Sequence, residues 1–302
     1  MKNGVINIYK EKGWTSHDVV ARLRGILKQK KTGHIGTLDP AAEGVLPVCV
    51  GNATKLAEML ADHDKEYEAE LIFGLVTDTD DETGKVISET KFDDPERWIA
   101  ENRERIDGIL SGFRGEYMQV PPMYSAKKIN GKKLYEYARA GVEIEREPAK
   151  VFIYSAEILD AYVKDGRPVL RIRVSCSKGT YIRVLCSDIG NLEGSGACMG
   201  SLLRTGVGSF RIEDSVRLGK LETAEDPYEF VTDTDTVLSE YPMIRVNKRG
   251  EPLLNNGNIL TAGETEGFPS EDGIYRIHDT EGRLKALYEK KGGRMKPAKM
   301  LL

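Results

Sequence analysis

Gly33-His34-Ile35-Gly36-Thr37-Leu38-Asp39-Pro40 opens a stretch that continues through Gly44-Val45-Leu46-Pro47-Val48-Cys49-Val50 to Gly51-Asn52-Ala53-Thr54-Lys55. Its first half reads as a loop, because the glycines leave the backbone free to turn and Pro40 stops any helix. Pro40 also pushes Asp39 out of helical φ/ψ, so the carboxylate hangs from a stiff, extended support. Residues 45–50 are apolar, partly β-branched and bounded by glycines, which predicts a buried strand anchoring the loop to a core. By spacing alone, Asp39-Pro40 suits an ordinary surface turn as well as a held carboxylate.

A chain of 302 residues can bury a sizeable core and has room for one large domain and a small one. No run of eighteen apolar residues and no basic-then-apolar leader at Met1 is present, so the expectation is a cytoplasmic protein without a membrane span. Cys49, Cys176, Cys186 and Cys198 form no C-x-x-C pair and read as reduced and structural. A net charge of −4 argues mildly against a polyanionic partner. The charge is segregated, however: residues 58–104 and 222–240 are acidic, whereas Arg22, Arg24, Lys28, Lys30 and Lys31 precede the loop. Lys127, Lys128, Lys132, Lys133 and Arg139 form a second basic cluster. Such a dipolar surface either binds a polyanion with one face or is simply solvated.

Residues 5–9 alternate as a first strand, and Thr15 or Ser16 caps a helix with Val19, Val20, Leu23, Ile26 and Leu27 on its apolar face. A short helix is predicted over 54–60. Residues 65–73 alternate as a strand with Tyr67, Ala69, Leu71 and Phe73 on one face, so Tyr67 is either a core aromatic or one presented to a pocket. Asp78, Asp80, Glu82 and Glu89 fall at calcium-loop spacing, but Thr83 stands where that loop needs glycine, and the flanks are strand-like. The segment therefore reads as a hairpin loop. A helix follows over 95–110. Residues 119–139 then interleave prolines, lysines and tyrosines around a turn at Asn130-Gly131, which suits phosphate contact and base stacking as well as an ordinary capped loop. Strands are predicted over 151–163 and 169–176, and Ser177-Lys178-Gly179-Thr180-Tyr181-Ile182-Arg183 marks a strand-to-helix turn. Met199, Leu202 and Leu203 lie at helical spacing, the acidic stretch around 225–235 reads as a helix and connector, and short strands near 244–246, 253–254, 273–277 and 284–288 suggest a small barrel with a basic end.

Taken as an ordered set, Gly-His-x-Gly-x-Leu-Asp-Pro, Gly-Val-Leu-Pro and Gly-x-Ala-Thr-Lys resembles the active-site signature of bacterial tRNA pseudouridine-55 synthases, the TruB family. Thr-Asp-Thr-x-Asp-x-x-Gly near residue 77, Ser-Lys-Gly-Thr-Tyr-Ile-Arg at 177–183 and Leu203-Arg204 resemble further family stretches, so the likeness spans nearly the whole chain. It implies an α+β fold: a mixed, mainly antiparallel sheet in a catalytic domain over 1–240, an RNA-clasping insertion over about 119–150, and a small β-rich, PUA-like domain over 241–302. It implies Asp39 as nucleophile, Tyr67 as the active-site tyrosine stacking on the target base, Tyr181 as a second site tyrosine, and Arg183 as the partner of the aspartate. A guanidinium there would favour the ionised carboxylate and aim it. His34 would fill the gap left by the flipped base, although a histidine so placed could also be a general base or a loop hydrogen-bonder. Leu203 would line the base pocket or sit in the core.

The implied reaction converts uridine 55 in the T loop of tRNA to pseudouridine, with no cofactor, metal or obligatory protein partner, by a monomer. Members of the family commonly carry Lys-Pro before the Gly-x-Thr-Ser turn; here Glu11 follows Lys10, which leaves the shape of that turn open. Attack on C6, attack on C1′ and a glycal route all remain compatible with the sequence, and either Tyr67 or a water could take the C5 proton, with Tyr67 ranked ahead. The rivals are a guide-RNA-dependent synthase, which the insertion and the short C-terminal domain disfavour; a non-catalytic RNA-binding protein, which would lack Asp39 or Arg183; and a calcium-binding or structural protein, which Thr83 disfavours.

Overall fold

The computed structural model describes residues 2–125, 127–129 and 131–301. The chain folds into two compact units: Met1–Pro40 with Val45–Ala61 and Glu213–Leu302, and Ala41–Gly44 with Asp62–Ile212.

In the first unit, the strand Gly4–Lys10 is buried along nearly its whole length, not on one face as simple alternation suggests. It pairs antiparallel with Thr232–Asp233 and lies beside the strand Glu43–Val50 in the sheet order. Between them runs the helix Ser16–Leu27, opened by a capping box in which Thr15 and Asp18 satisfy each other's main chain, and closed by Lys28 in the left-handed conformation at φ 47. Its buried stripe is Val19, Val20, Leu23 and Leu27, as the periodicity predicts, while Ile26, expected on the same face, is only half-buried. A 3-10 turn, Gly51–Leu56, leads into the short helix Ala57–Ala61. The acidic stretch near residue 230 resolves into Pro227–Phe230, Thr232–Asp233 and the helix Thr234–Val237.

The C-terminal part of this unit is a five-stranded sheet in the order Thr265–Glu266, Met243–Val246, Gly273–His278, Leu284–Lys291, Arg294–Met300. Val246, Leu254, Leu260, Tyr275, Ile277, Ala286, Tyr288 and Met295 form its core. One expectation is corrected here: Leu253 and Leu254 lie not in a strand but in a helix, Gly250–Asn255, which buries Leu254 against this core. The basic end of the chain forms the strand Arg294–Met300.

The second unit is built on five neighbouring antiparallel strands: Ala197–Val207, Lys65–Phe73, Arg167–Cys176, Ala149–Lys164 and Gly115–Gln119. Ala69, Leu71, Phe73, Leu170, Ile172 and Val174 share a core with Ile106 and Leu110 of the helix Pro95–Gly112 and with Ile182, Leu185 and Ile189 of the helix Ile182–Glu193. The helical spacing of Met199, Leu202 and Leu203 is misleading: they belong to the strand Ala197–Val207, whose irregularity between Met199 and Leu202 breaks the period-2 alternation. Residues 78–84 are the hairpin loop between Leu75–Thr77 and Val86–Glu89. The stretch between Gly115–Gln119 and Ala149–Lys164 contains a two-rung ladder, Lys128–Ile129 against Lys132–Lys133, and the helix Leu134–Arg139. Of the turn expected there, Asn130 lies outside the described residues. All four cysteines are free and buried, and burial pushes the Cys49 thiol up to about 12.

Candidate active site

The loop carrying Asp39 is clamped on both sides of that residue. On one side, the buried Ser16 hydroxyl donates to the Leu38 carbonyl at 3.1 Å and accepts from the Leu38 N–H at 2.9 Å. On the other, the Pro40 carbonyl accepts from the Gly13 N–H at 2.8 Å and from the Lys10 ammonium at 3.4 Å. Lys10 is fully buried, and its ammonium also donates to the carbonyls of Trp14 at 2.7 Å and Glu11 at 3.2 Å. The turn after Lys10 is thus tied by the lysine to the loop it faces, with Glu11 contributing its carbonyl. Leu38 is buried while Asp39 is exposed, so the backbone is fixed and the carboxylate is presented outward. His34 precedes the loop on the short strand Thr32–His34, opposite Val48, with its ring edge-on to His17 at 5.3 Å between centroids.

The remaining predicted site residues belong to the second unit. Tyr67 sits near the start of the strand Lys65–Phe73, partly buried against the core, with Arg204 directly across on the neighbouring strand. Arg204 is 1% exposed; burial lowers its pKa, and the Tyr67 phenol, to which its guanidinium hydrogen-bonds, acts in the opposite direction. An arginine only donates, so the phenol oxygen accepts here and its own proton is left for another partner. Tyr181 caps the helix Ile182–Glu193, and Arg183 lies in that helix's first turn, buried. The Arg183 guanidinium donates to the carbonyls of Tyr124 at 2.9 Å and Thr79 at 3.3 Å and lies 3.6 Å from the Asp81 carboxylate. Those bonds aim it. Asp80, beside it, has its pKa raised by burial, against the opposing pull of Ser187 and Arg183. Leu203 is half-buried and pairs with Glu43. Lys127, Lys128 and Lys132 are exposed, whereas Lys133 lies 5.3 Å above the Tyr135 ring. Among the described residues, no group of three or more His, Cys, Asp or Glu is arranged to hold a metal ion.

A sequence profile described as the N-terminal domain of TruB family pseudouridylate synthases matches residues 24–182, more than half of the chain. The chain belongs to the TruB family. A second profile, described as the tRNA pseudouridylate synthase B C-terminal domain, matches 183–240. TruB-family relatives span its full length. A protein of Bacillus pumilus named tRNA pseudouridine synthase B is 41% identical over 308 residues, covering 100% of this chain and 98% of the relative. Another of that name, from Lachnoclostridium phytofermentans, is 45% identical over 313 residues, covering 99% and 100%. Among solved structures, a Cbf5–Nop10–Gar1 complex contains a chain that aligns with a TM-score of 0.71 at 25% identity, covering 99% of this chain and 85% of that one. The archaeal box H/ACA sRNP Nop10–Cbf5 complex contains another, at 0.69 and 25%, covering 99% and 86%.

Beyond the residues to which the TruB resemblance gives a role, the structure shows buried polar side chains at Lys65, Gln119 and Arg204, and the Asp81 carboxylate beside Arg183. In the sequence Arg204 is visible only as part of a motif, and Asp81 only as part of a loop. Lys65 heads an alternating strand, and Gln119 ends one, at positions where alternation turns the side chain inward. A polar residue at an inward position is the signal that could have found them.

Proposed function

We propose that the chain isomerises uridine 55 in the T loop of tRNA to pseudouridine, acting as a monomer in the cytoplasm without cofactor, metal or protein partner. The observation that carries this reading is the clamped loop: in a TruB-family chain, an exposed carboxylate stands between two pinned main-chain groups at the position of the family signature. In the reaction, the bond from N1 of uracil to C1′ breaks, C5 bonds to C1′, the proton on C5 leaves and N1 regains a proton, so neither oxidant nor phosphoryl donor is required. As the family resemblance implies, Asp39 serves as the nucleophile with Arg183 as its partner, and contacts with Tyr124, Thr79 and Asp81 hold the guanidinium in a fixed direction. The target base leaves the stack at a cost of about a few kcal/mol. Tyr67 gives it an aromatic platform and, ranked ahead of a water, takes the C5 proton while its phenol passes its own proton on to solvent, with Arg204 hydrogen-bonded to the phenol oxygen. Tyr181 and Leu203 line the base site, and His34 fills the gap in the T loop.

Residues 1–240 act as the catalytic domain and 241–302 as a PUA-like RNA-binding module. The insertion over about 119–150 clasps the RNA through Lys127, Lys128, Lys132 and Lys133, and this grip supports an accompanying tRNA-folding activity. Curated relatives at 41% and 45% identity are named tRNA pseudouridine synthase B, which favours this reading over a guide-RNA-dependent one. The test is release of tritium from C5-labelled, unmodified tRNA transcript by the purified chain alone. Release that disappears when uridine 55 is changed to cytidine supports the proposal; no release, or release that survives the change, refutes the activity or its position.

A further inference from the structure

Gln119 ends the strand Gly115–Gln119, at the root of the insertion. Alternation turns Tyr117 and Gln119 inward and leaves Glu116 and Met118 outside. At 1% exposed, the carboxamide must find partners within the protein. It finds them on both main-chain groups of one residue: its Oε1 accepts from the Tyr181 N–H at 2.8 Å, and its Nε2 donates to the Tyr181 carbonyl at 3.0 Å. The side chain thus acts like one rung of a β-ladder. Tyr181 is extended, with φ −102 and ψ 107, and makes no side-chain cap of its own, so its two flanking groups are fixed from outside. Fixing both groups fixes the direction in which Cβ leaves the backbone. Gln119 is itself braced: it donates to the Tyr117 phenol, whose hydroxyl in turn donates to Asp188 on the same helix. Five residues further along the insertion, the Tyr124 carbonyl receives Arg183 at 2.9 Å.

We infer that Gln119 is a positioning residue for Tyr181, aiming the tyrosine ring at the target base and tying that aim to the root of the insertion. The inference rests on the reading of Tyr181 as a base-site residue. Among uncharged side chains of this length, only a carboxamide supplies the donor and the acceptor together. Leucine supplies neither. Glutamate keeps the acceptor for the N–H and sets a second oxygen against the Tyr181 carbonyl.

The test is a double-mutant cycle: Gln119→Leu and Gln119→Glu, each alone and combined with Tyr181→Ala, read by the single-turnover rate of tritium release and by tRNA affinity. Gln119→Leu is expected to slow single turnover roughly 10- to 100-fold, the weight of two hydrogen bonds, with affinity changed by less than about threefold. In the Tyr181→Ala background the same change is expected to cost less than about twofold, because what it positions is gone. Gln119→Glu is isosteric, completes the cycle if the leucine variant does not fold, and is expected to show the same coupling. Loss that persists in full beside Tyr181→Ala, or wild-type rates for both Gln119 variants, overturns the inference alone. A wild-type rate for Tyr181→Ala overturns the reading of Tyr181 and the inference with it.

Discussion

Lys65 is 8% exposed, two residues before Tyr67 on the same strand, and its ammonium donates to the His63 carbonyl. Burial first, and the neighbouring Arg204 second, pull its pKa down to about 8 from the usual 10.5. Each unit of that displacement is worth about 1.4 kcal/mol, so at neutral pH the charged lysine costs the folded state about 3 kcal/mol relative to its neutral form. Lys65→Met keeps the length and apolar stem and removes the charge. It is expected to stabilise the fold by about 1–3 kcal/mol near pH 7, the lower figure allowing for the lost bond to His63. The pH dependence carries a definite sign. Between about pH 8 and 10.5 the unfolded chain holds a proton that the folded chain has released, so wild-type stability gains with rising pH across that window and has no such gain below it. The variant lacks this term, so its advantage should be full at about pH 7 and shrink towards zero by about pH 10. Urea unfolding of both proteins at a series of pH values measures the difference directly. A variant less stable than wild type at neutral pH, or an advantage that stays constant to pH 10, would refute the reasoning.

If Arg183 partners the nucleophile as proposed, Arg183→Ala should reduce turnover roughly 100-fold or more, because a fixed cation is lost from the reaction site. It should also lower stability by about 3–5 kcal/mol, since Asp81 and the Thr79 and Tyr124 carbonyls lose a buried partner. Melting curves and single-turnover rates read the two effects separately, and a variant of full activity would remove the arginine from the site. Lys132→Ala should make the log–log salt dependence of tRNA binding shallower by about 0.7, one phosphate contact's worth. Lys133→Ala should change it less, because that ammonium already sits over the Tyr135 ring. An unchanged slope for Lys132→Ala would take it out of the interface.

Much of the local structure that carries these residues is readable because the sequence signals there are local. Pro40 after Asp39, Thr15 ahead of an apolar stripe, and a strand ending at Cys176 before a helix beginning at Ile182 each follow from neighbours a few residues apart. The calcium-like spacing at 78–89 likewise resolves into a hairpin, as the strand-like flanks indicate. The misreadings share another cause. An irregular strand at Met199–Leu202 mimics helical spacing, and Leu253-Leu254 is too short an apolar pair to choose between helix and strand. What the pattern could not supply were long-range polar partners: Ser16 with Leu38, Gln119 with Tyr181, Arg204 with Tyr67, Arg183 with Tyr124. These pairs are 22, 62 and 59 residues apart for the first, second and fourth, and only the folded backbone brings them together.

The central claim is that the exposed carboxylate of Asp39, held by its clamped loop, is the nucleophile. Asp39→Asn preserves the side-chain volume and leaves the main-chain bonds at Leu38 and Pro40 in place while removing the charge. The measurement that tests this most directly is single-turnover tritium release by Asp39→Asn beside tRNA affinity for the same variant. Abolished release with affinity near that of the wild type is the predicted result; release at a rate comparable to wild type would contradict the account.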